Sequence, residues 1–473
     1  MIWHNFGTEF SEVTAWHMTV DFPQLAAIRL GYGLSPLTPP PQDPAEVLAG
    51  IGLASPLPTA MTTSRAATMS IRLADLRKAR QERGGEEDKE FQAHNQMLGR
   101  QIHRDLQRRI ARAVDDPVGI GERLVQFWAD HFTVRPDGPG QNPLAMAFVD
   151  EAIRPHVNGR FEDMFFAADT HPMMLLYLDQ NRSKGPNSIA AIKQPKRNIG
   201  LNENLAREAL ELHTLGVGAP YTQKDVRELA ELMTGLSYDN RNGFNYRPQI
   251  AEPGAETVMG INYGGDKRAV LQDIRVAFRD IARRPEAAHY ISWKLAVHFV
   301  SDNPSPDLVD AMAAKWLDTD GHLPQVYRVM ITHPELAATF RQKVRQPFDY
   351  VVAALRALGV TGRQVMALDF PQLPAVLTEP IARMGQRWMR PIGPDGWPEG
   401  AESWVAPQLL AARISWALTA PGKLLTQAPD PRAMIETTFG GTQSEQLAWA
   451  VPKAESQAEG VALILASNDF NRR

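Results

Sequence analysis

Proline at the head of an apolar run is the feature that most restricts what this chain can fold into. His171-Pro172, Arg284-Pro285 and His333-Pro334 each stand just before an alanine- or leucine-rich stretch. A proline in the first helical turn loses no hydrogen bond, because the N–H it lacks would have had no partner there. These three sites therefore read as helix starts. Their separations, 113 and 49 residues, are too unequal for a regular solenoid. Thr222 with Asp225 reads as a capping-box start, and Gly216 and Gly218 stop the helix before it.

Two polar–apolar stretches, about Ser64 to Arg80 and Glu87 to Ala113, are separated by Gly84-Gly85. The nearly all-charged segment Arg80 to Glu90 reads as a solvated helix tip. Alternating patterns are scarce. Short pieces around Gly243 to Tyr246 and Thr257 to Tyr263 are expected to pair as one hairpin. The predicted fold is mainly α: a large multi-helix globular unit with at most a short β-hairpin and a Pro/Trp-rich C-terminal loop.

That loop follows Trp388, where Pro391, Pro394, Gly396 and Pro398 force an irregular path around Trp397 before helix resumes near Trp404 to Leu418. Trp388 and Trp397 either pack the loop down or form a stacking wall for a bound molecule. The expected organisation is a non-core N-terminal extension over residues 1–17, a continuous helical core over 18–420, and a C-terminal extension over 421–473.

Bulk numbers exclude several functions. Of 473 residues, 44% are hydrophobic and 22% charged, and the formal net charge is −4, which argues against nucleic-acid or anionic-membrane binding. No apolar run reaches the roughly 18 residues of a membrane span. The absence of cysteine removes disulfides, thiolate nucleophiles and Cys-ligated metals. No secretory leader is recognisable, so a cytoplasmic location is the default expectation.

The densest chemistry lies in the run from Asn202 to Thr214. At helical spacing Glu203, Asn204, Arg207, Glu208 and Glu211 share one side, and Leu205, Ala206, Ala209, Leu210 and Leu212 the other. Facing solvent, such a strip is a set of four-residue ion pairs worth roughly a few tenths of a kcal/mol each. Facing inward, three carboxylates beside one guanidinium must hold a shared proton, a metal or a substrate cation.

His131 falls beside Leu124, Phe127 and Trp128, so it is either a satisfied core histidine or an acid, base or ligand next to the Glu helix. Asp130 points to another face. His213, in the last turn of its helix, is accounted for by the exposed carbonyl ends there, and His171 reads as a helix cap. Asp179 either caps the next turn or reaches into a cleft. Phosphate-loop, zincin, nucleophile-elbow and dinucleotide motifs are absent.

Several blocks resemble a known family. Phe127 to Phe132, His171 to Asp179, Asn202 to Glu208 with Leu212 to Val217, and Tyr221 to Val226 are similar to the signature blocks of the bacterial domain-of-unknown-function family 1800. Lys294 to Asp302, Lys343 to Gly359 and Gly396-Trp397-Pro398 also fit, so the likeness runs from Met18 to Leu418. The resemblance implies a mostly helical protein with no agreed activity. It also implies relatives that are often exported, and a gene neighbour resembling sulfatases and alkaline phosphatases as a candidate partner. This chain departs at Ala251 and Glu256, where many relatives have a histidine and a lysine.

The leading expectation is an enzyme for hydrolysis or group transfer of an unidentified substrate. Glu203, Arg207, Glu208, Glu211 and His131 are its catalytic candidates, and Asn202, Asn204, Asp179, Gln223, Asp225, Trp388 and Trp397 its binding candidates. The alternative is a non-catalytic binding or assembly protein whose buried ion network fixes helix register. A third reading is a divalent metal held by those glutamates with His131 or His171; no cofactor is otherwise predicted.

Overall fold

The computed structural model describes residues 20–193, 200–265 and 269–473; the expected 1–17 extension lies outside the described residues. The three proline-marked starts are present. Helices Pro172–Tyr177 and Pro285–Phe299 begin on their prolines, and Pro334 caps the short helix Glu335–Ala338. The two long stretches form helices Thr63–Arg83 and Glu86–Asp115, which turn at Gly84 and Gly85, both at positive φ, with an exposed charged tip. Among the described residues no helix is long and apolar enough to cross a membrane.

The single hairpin expected from the sequence is two. Leu236–Asp239 pairs antiparallel with Gly243–Tyr246, and Ala255–Val258 with Ile261–Gly264. Each strand has four residues. The pieces around 243 and 257 therefore belong to separate ribbons, each closed by its own short turn rather than by pairing with the other.

Helical packing produces two large apolar centres and a small one of Leu73, Leu76, Phe91 and Leu98 between the two long helices. The first gathers Ile120, Trp128, Phe161, Leu210 and Leu295 with many neighbours. The second gathers Leu106, Ile110, Tyr350, Leu355 and Trp416 with residues as late as Phe470. Residues 421–473, read from the sequence as an extension, thus supply part of this second core through Met434, Ile435, Val461 and Ile464.

The last residue also crosses between the centres. Arg473 is 1% exposed, pairs with Asp349 and donates to the His298 carbonyl at 3.0 Å, while the buried Arg29 donates to the Arg473 carbonyl at 2.6 Å. Where the two centres meet, helices Ile120–His131, Pro285–Phe299 and Pro347–Ala357 and the loop after Trp388 enclose polar side chains.

Candidate functional site

The Glu run forms helix Asn204–Glu211 with Leu205, Ala206, Ala209 and Leu210 buried, as its spacing requires. Asn202 serves the helix entry. Its Oδ1 accepts the Asn204 amide at 2.8 Å, and its Nδ2 donates to the carbonyls of Leu178 and Asp179, each at 3.3 Å. Asn204 itself is exposed.

On the polar side Arg207 lies 3.5 Å from Glu203 and 3.1 Å from Glu211. Gln223 joins them from the next helix, accepting from Arg207 at 2.9 Å and donating to Glu203 at 2.7 Å. The strip is half-buried, with 31, 39 and 22% of the Glu203, Arg207 and Glu211 side chains exposed. Glu208 differs from the others. Burial raises its carboxyl pKa, Glu211 and Asp169 push the same way, and His213 and Arg207 oppose them.

His131 is enclosed by Phe127, Trp128, Phe132 and Phe161. Burial holds its pKa well below the usual value, so the ring is neutral, and Nε2 donates to the His213 carbonyl at 3.1 Å. His131 therefore meets the Glu helix at its C-terminal end, away from the carboxylates. The helix-end explanation expected for His213 gives way to a specific partner, because its Nδ1 lies 2.9 Å from the fully buried Asp169 carboxylate.

His171 caps its helix, with Nδ1 accepting the Met173 amide at 3.1 Å. Asp225 completes the capping box with Thr222 and also accepts the Met259 amide at 2.6 Å. Asp179, at φ 57° and with half its side chain exposed, pairs with Arg182 at 3.2 Å.

The structure assembles a second polar group that the sequence reading passed over. A cavity of about 760 Å³, mouth included, opens where the two apolar centres meet. Trp388, Trp397, Phe127 and Phe348 wall it, and Arg109, Gln126, Asp130, His298 and Asp349 supply its polar lining. Both tryptophans singled out from the sequence thus face one space.

Asp130 is held by the Trp397 amide, which approaches its two oxygens at 3.1 and 3.0 Å. Burial pushes its pKa up to about 7 against that hydrogen bond, with Glu399 adding and Lys294 opposing. Lys294 is shifted the other way. Burial lowers it although Asp130, Glu399 and Asp395 favour its charge, and it makes no ion pair among the described residues.

Burial raises the pKa of Tyr177, with Glu208 and Asp395 adding to the shift and Arg135 opposing it. A lysine alone in the apolar stretch Ile291 to Phe299 was the available sequence signal for the Asp130 group.

Beside it runs a paired ionic chain. His298 Nδ1 lies 2.6 Å from Glu399 Oε1, and Lys343 Nζ lies 2.5 Å from Asp302 and 3.4 Å from Glu399. Burial alone would raise Glu399, but His298, Lys343 and Arg473 outweigh it and hold the carboxyl far below its usual range.

For a metal, the carboxylate group within reach among the described residues is Glu228, Glu231 and Glu256, whose ligand atoms lie within 4.8 Å of one another. Among the described residues His131 and His171 are not part of it: His131 Nε2 is engaged by the His213 carbonyl while its buried Nδ1 has no partner there, and the His171 nitrogens face Glu151, Thr63 and the Met173 amide.

The family model described as a protein of unknown function, DUF1800, matches residues 26–472. The chain belongs to this family. The match continues past Leu418 through the helices of the second core. Comparison with curated proteins and with solved structures gives no match.

Proposed function

We propose that this DUF1800 protein is an acid–base enzyme that hydrolyses, or transfers a group from, a small molecule bound in the cavity between its two cores. The observation that carries this reading is the opposed shift of two neighbouring groups. Asp130 is raised to about 7 while Lys294 is lowered, which brings a carboxyl and an amine toward the range where each exchanges a proton near neutrality. Trp397 ties Asp130 to the pocket, because it lines the cavity while its amide holds that carboxylate. Asp130 is assigned as the group that exchanges its proton with substrate, and Lys294 as the amine that stabilises developing negative charge. The Glu helix adds Glu208 as a second raised carboxyl, with Arg207 positioned by Glu203, Glu211 and Gln223.

A panel of carboxylic, phosphate and sulfate esters, amides and glycosides, assayed on wild type, Asp130→Asn and Lys294→Met with folding checked by circular dichroism, tests this. Turnover in wild type that falls about 100-fold or more in both variants is expected. No turnover in wild type, or wild-type rates in the folded variants, overturns the reading.

The non-catalytic alternative draws support from the paired chain of His298, Glu399, Lys343 and Asp302, which has the form of a structural ion network. The same panel separates the two.

A further inference from the structure

One lining residue of the cavity has a role that proton transfer at Asp130 leaves open. Arg109 is 4% exposed and uses only part of its guanidinium. Its Nε donates to Asp105 at 2.9 Å, and the same carboxylate oxygen accepts the Trp388 indole N–H at 3.0 Å. Among the described residues both terminal nitrogens, Nη1 and Nη2, are buried with no acceptor, and so is Nε2 of Gln126 on the same cavity. A buried donor left unpaired costs about 1–3 kcal/mol, and more when charged, so these groups call for acceptors that the described residues do not supply. The nearby carboxylates are already engaged. Asp349 is taken by Arg473 and by Arg123 at 3.7 Å, and Asp130 by the Trp397 amide.

A second observation lies on the far side of Trp388. A groove of about 680 Å³ shares that residue with the cavity and carries Arg383, Arg387 and Arg390 against one carboxylate, Glu379. Among the described residues none of the three arginines makes an ion pair. In a chain of net charge −4 this is a local concentration of positive charge, and it raises the density of anions next to the cavity.

We infer that the cavity receives a small carboxylic acid with a flat apolar body, its carboxylate seated on the Arg109 fork and Gln126 and its body against Trp388 and Trp397. Two N–H-bearing nitrogens on one planar guanidinium match the two oxygens of a carboxylate. This names the substrate class of the site proposed above and rests on that reading for its catalytic meaning, though not for the binding itself.

Benzoate and its neutral isostere benzamide, titrated into the full chain by calorimetry and tryptophan fluorescence, provide the test. Benzoate is expected to bind about tenfold or more tightly than benzamide. Arg109→Gln is expected to weaken benzoate by about tenfold or more and to leave benzamide within about twofold. Gln126→Leu should give a smaller loss of the same sign. Equal binding of the two probes, no benzoate binding at millimolar concentration, or wild-type benzoate affinity in folded Arg109→Gln overturns the inference, and ordered water is then the partner of Arg109. If Arg109→Gln does not fold, Arg109→Lys, which keeps the charge and loses the fork, and the wild-type ratio of the two probes carry the test. Benzoate bound through Arg109 while Asp130→Asn and Lys294→Met keep full turnover preserves the carboxylate site and removes the catalytic reading. Turnover that depends on Asp130 and Lys294 without benzoate binding does the opposite.

Discussion

The Trp397 amide donates to the Asp130 carboxylate across 267 residues of sequence, at 3.1 and 3.0 Å from its two oxygens. Both residues line the cavity, and the burial of Asp130, which outweighs this hydrogen bond, sets a pH dependence. The Asp130 pKa rises from 3.8 to about 7 on folding, so between those values the folded chain binds more protons here than the unfolded chain does. Stability contributed by the protonated carboxyl is full below pH 3.8 and is lost as pH rises through about 7. Asp130→Asn carries no such proton. Its melting temperature, followed over that window, is expected to decline less with pH than that of wild type.

Gly396 makes the same contact possible. It has φ +85°, and a Cβ added there would lie 2.7 Å from Asp130 Oδ2 and 2.8 Å from its backbone oxygen. Gly396→Ala therefore meets both backbone strain and a clash. The expected cost is about 2 kcal/mol or more in urea unfolding, with loss of any turnover that depends on Asp130.

What the sequence disclosed follows from the range of each interaction. The Thr222–Asp225 cap, the His171 cap and the proline-led helices are formed by residues a few positions apart, so spacing alone reveals them. The strand Leu236–Asp239 was not legible, because it follows directly on the Gln223–Leu232 helix and is defined only by pairing with Gly243–Tyr246. The Glu strip was legible as a strip, but its half-buried setting depends on Gln223 arriving from another helix. Asp130 was set aside as pointing to another face, and Arg109 was not singled out, for a stronger reason. The partners that give them meaning, Trp397 and Trp388, come from a loop more than half the chain away.

Asp169 and His213 form a fully buried pair 2.9 Å apart, 44 residues distant in sequence. Removing the imidazole leaves the buried Asp169 without the ring nitrogen it faces, and burial already raises that carboxyl. His213→Ala is expected to cost about 3 kcal/mol in denaturant unfolding. His213→Asn, which can still donate a hydrogen bond, should recover part of the loss. Equal stability of His213→Ala and wild type contradicts a supporting role for the pair.

Glu256 is buried among like charges. Burial first, then Glu231 and a hydrogen bond to Glu228, push its pKa from 4.5 up to about 8. The protonated form is the stabilising one, so its contribution is lost as pH climbs from 4.5 through about 8. Glu256→Gln should flatten the decline of melting temperature over that interval. Glu256→Lys places a cation beside Glu228 and Glu231 and is expected to raise stability by about 1 kcal/mol at neutral pH.

Arg207 offers a separation of fold from function on the Glu helix. Its pairs with Glu203 and Glu211, at 3.5 and 3.1 Å, involve side chains that are 22–39% exposed, so solvent screens them. Arg207→Ala is expected to shift unfolding by less than about 1 kcal/mol. Glu208→Gln should be neutral or slightly stabilising, because burial already disfavours its charge. Both variants therefore remain folded, and any change they cause in turnover reports on the chemistry of the Glu helix rather than on its folding. If Asp130→Asn abolishes turnover while Arg207→Ala and Glu208→Gln leave kcat and KM unchanged, the reaction is confined to the cavity and the Glu helix takes no part in it. A fall in kcat at constant KM in Glu208→Gln instead assigns the second raised carboxyl to the chemical step.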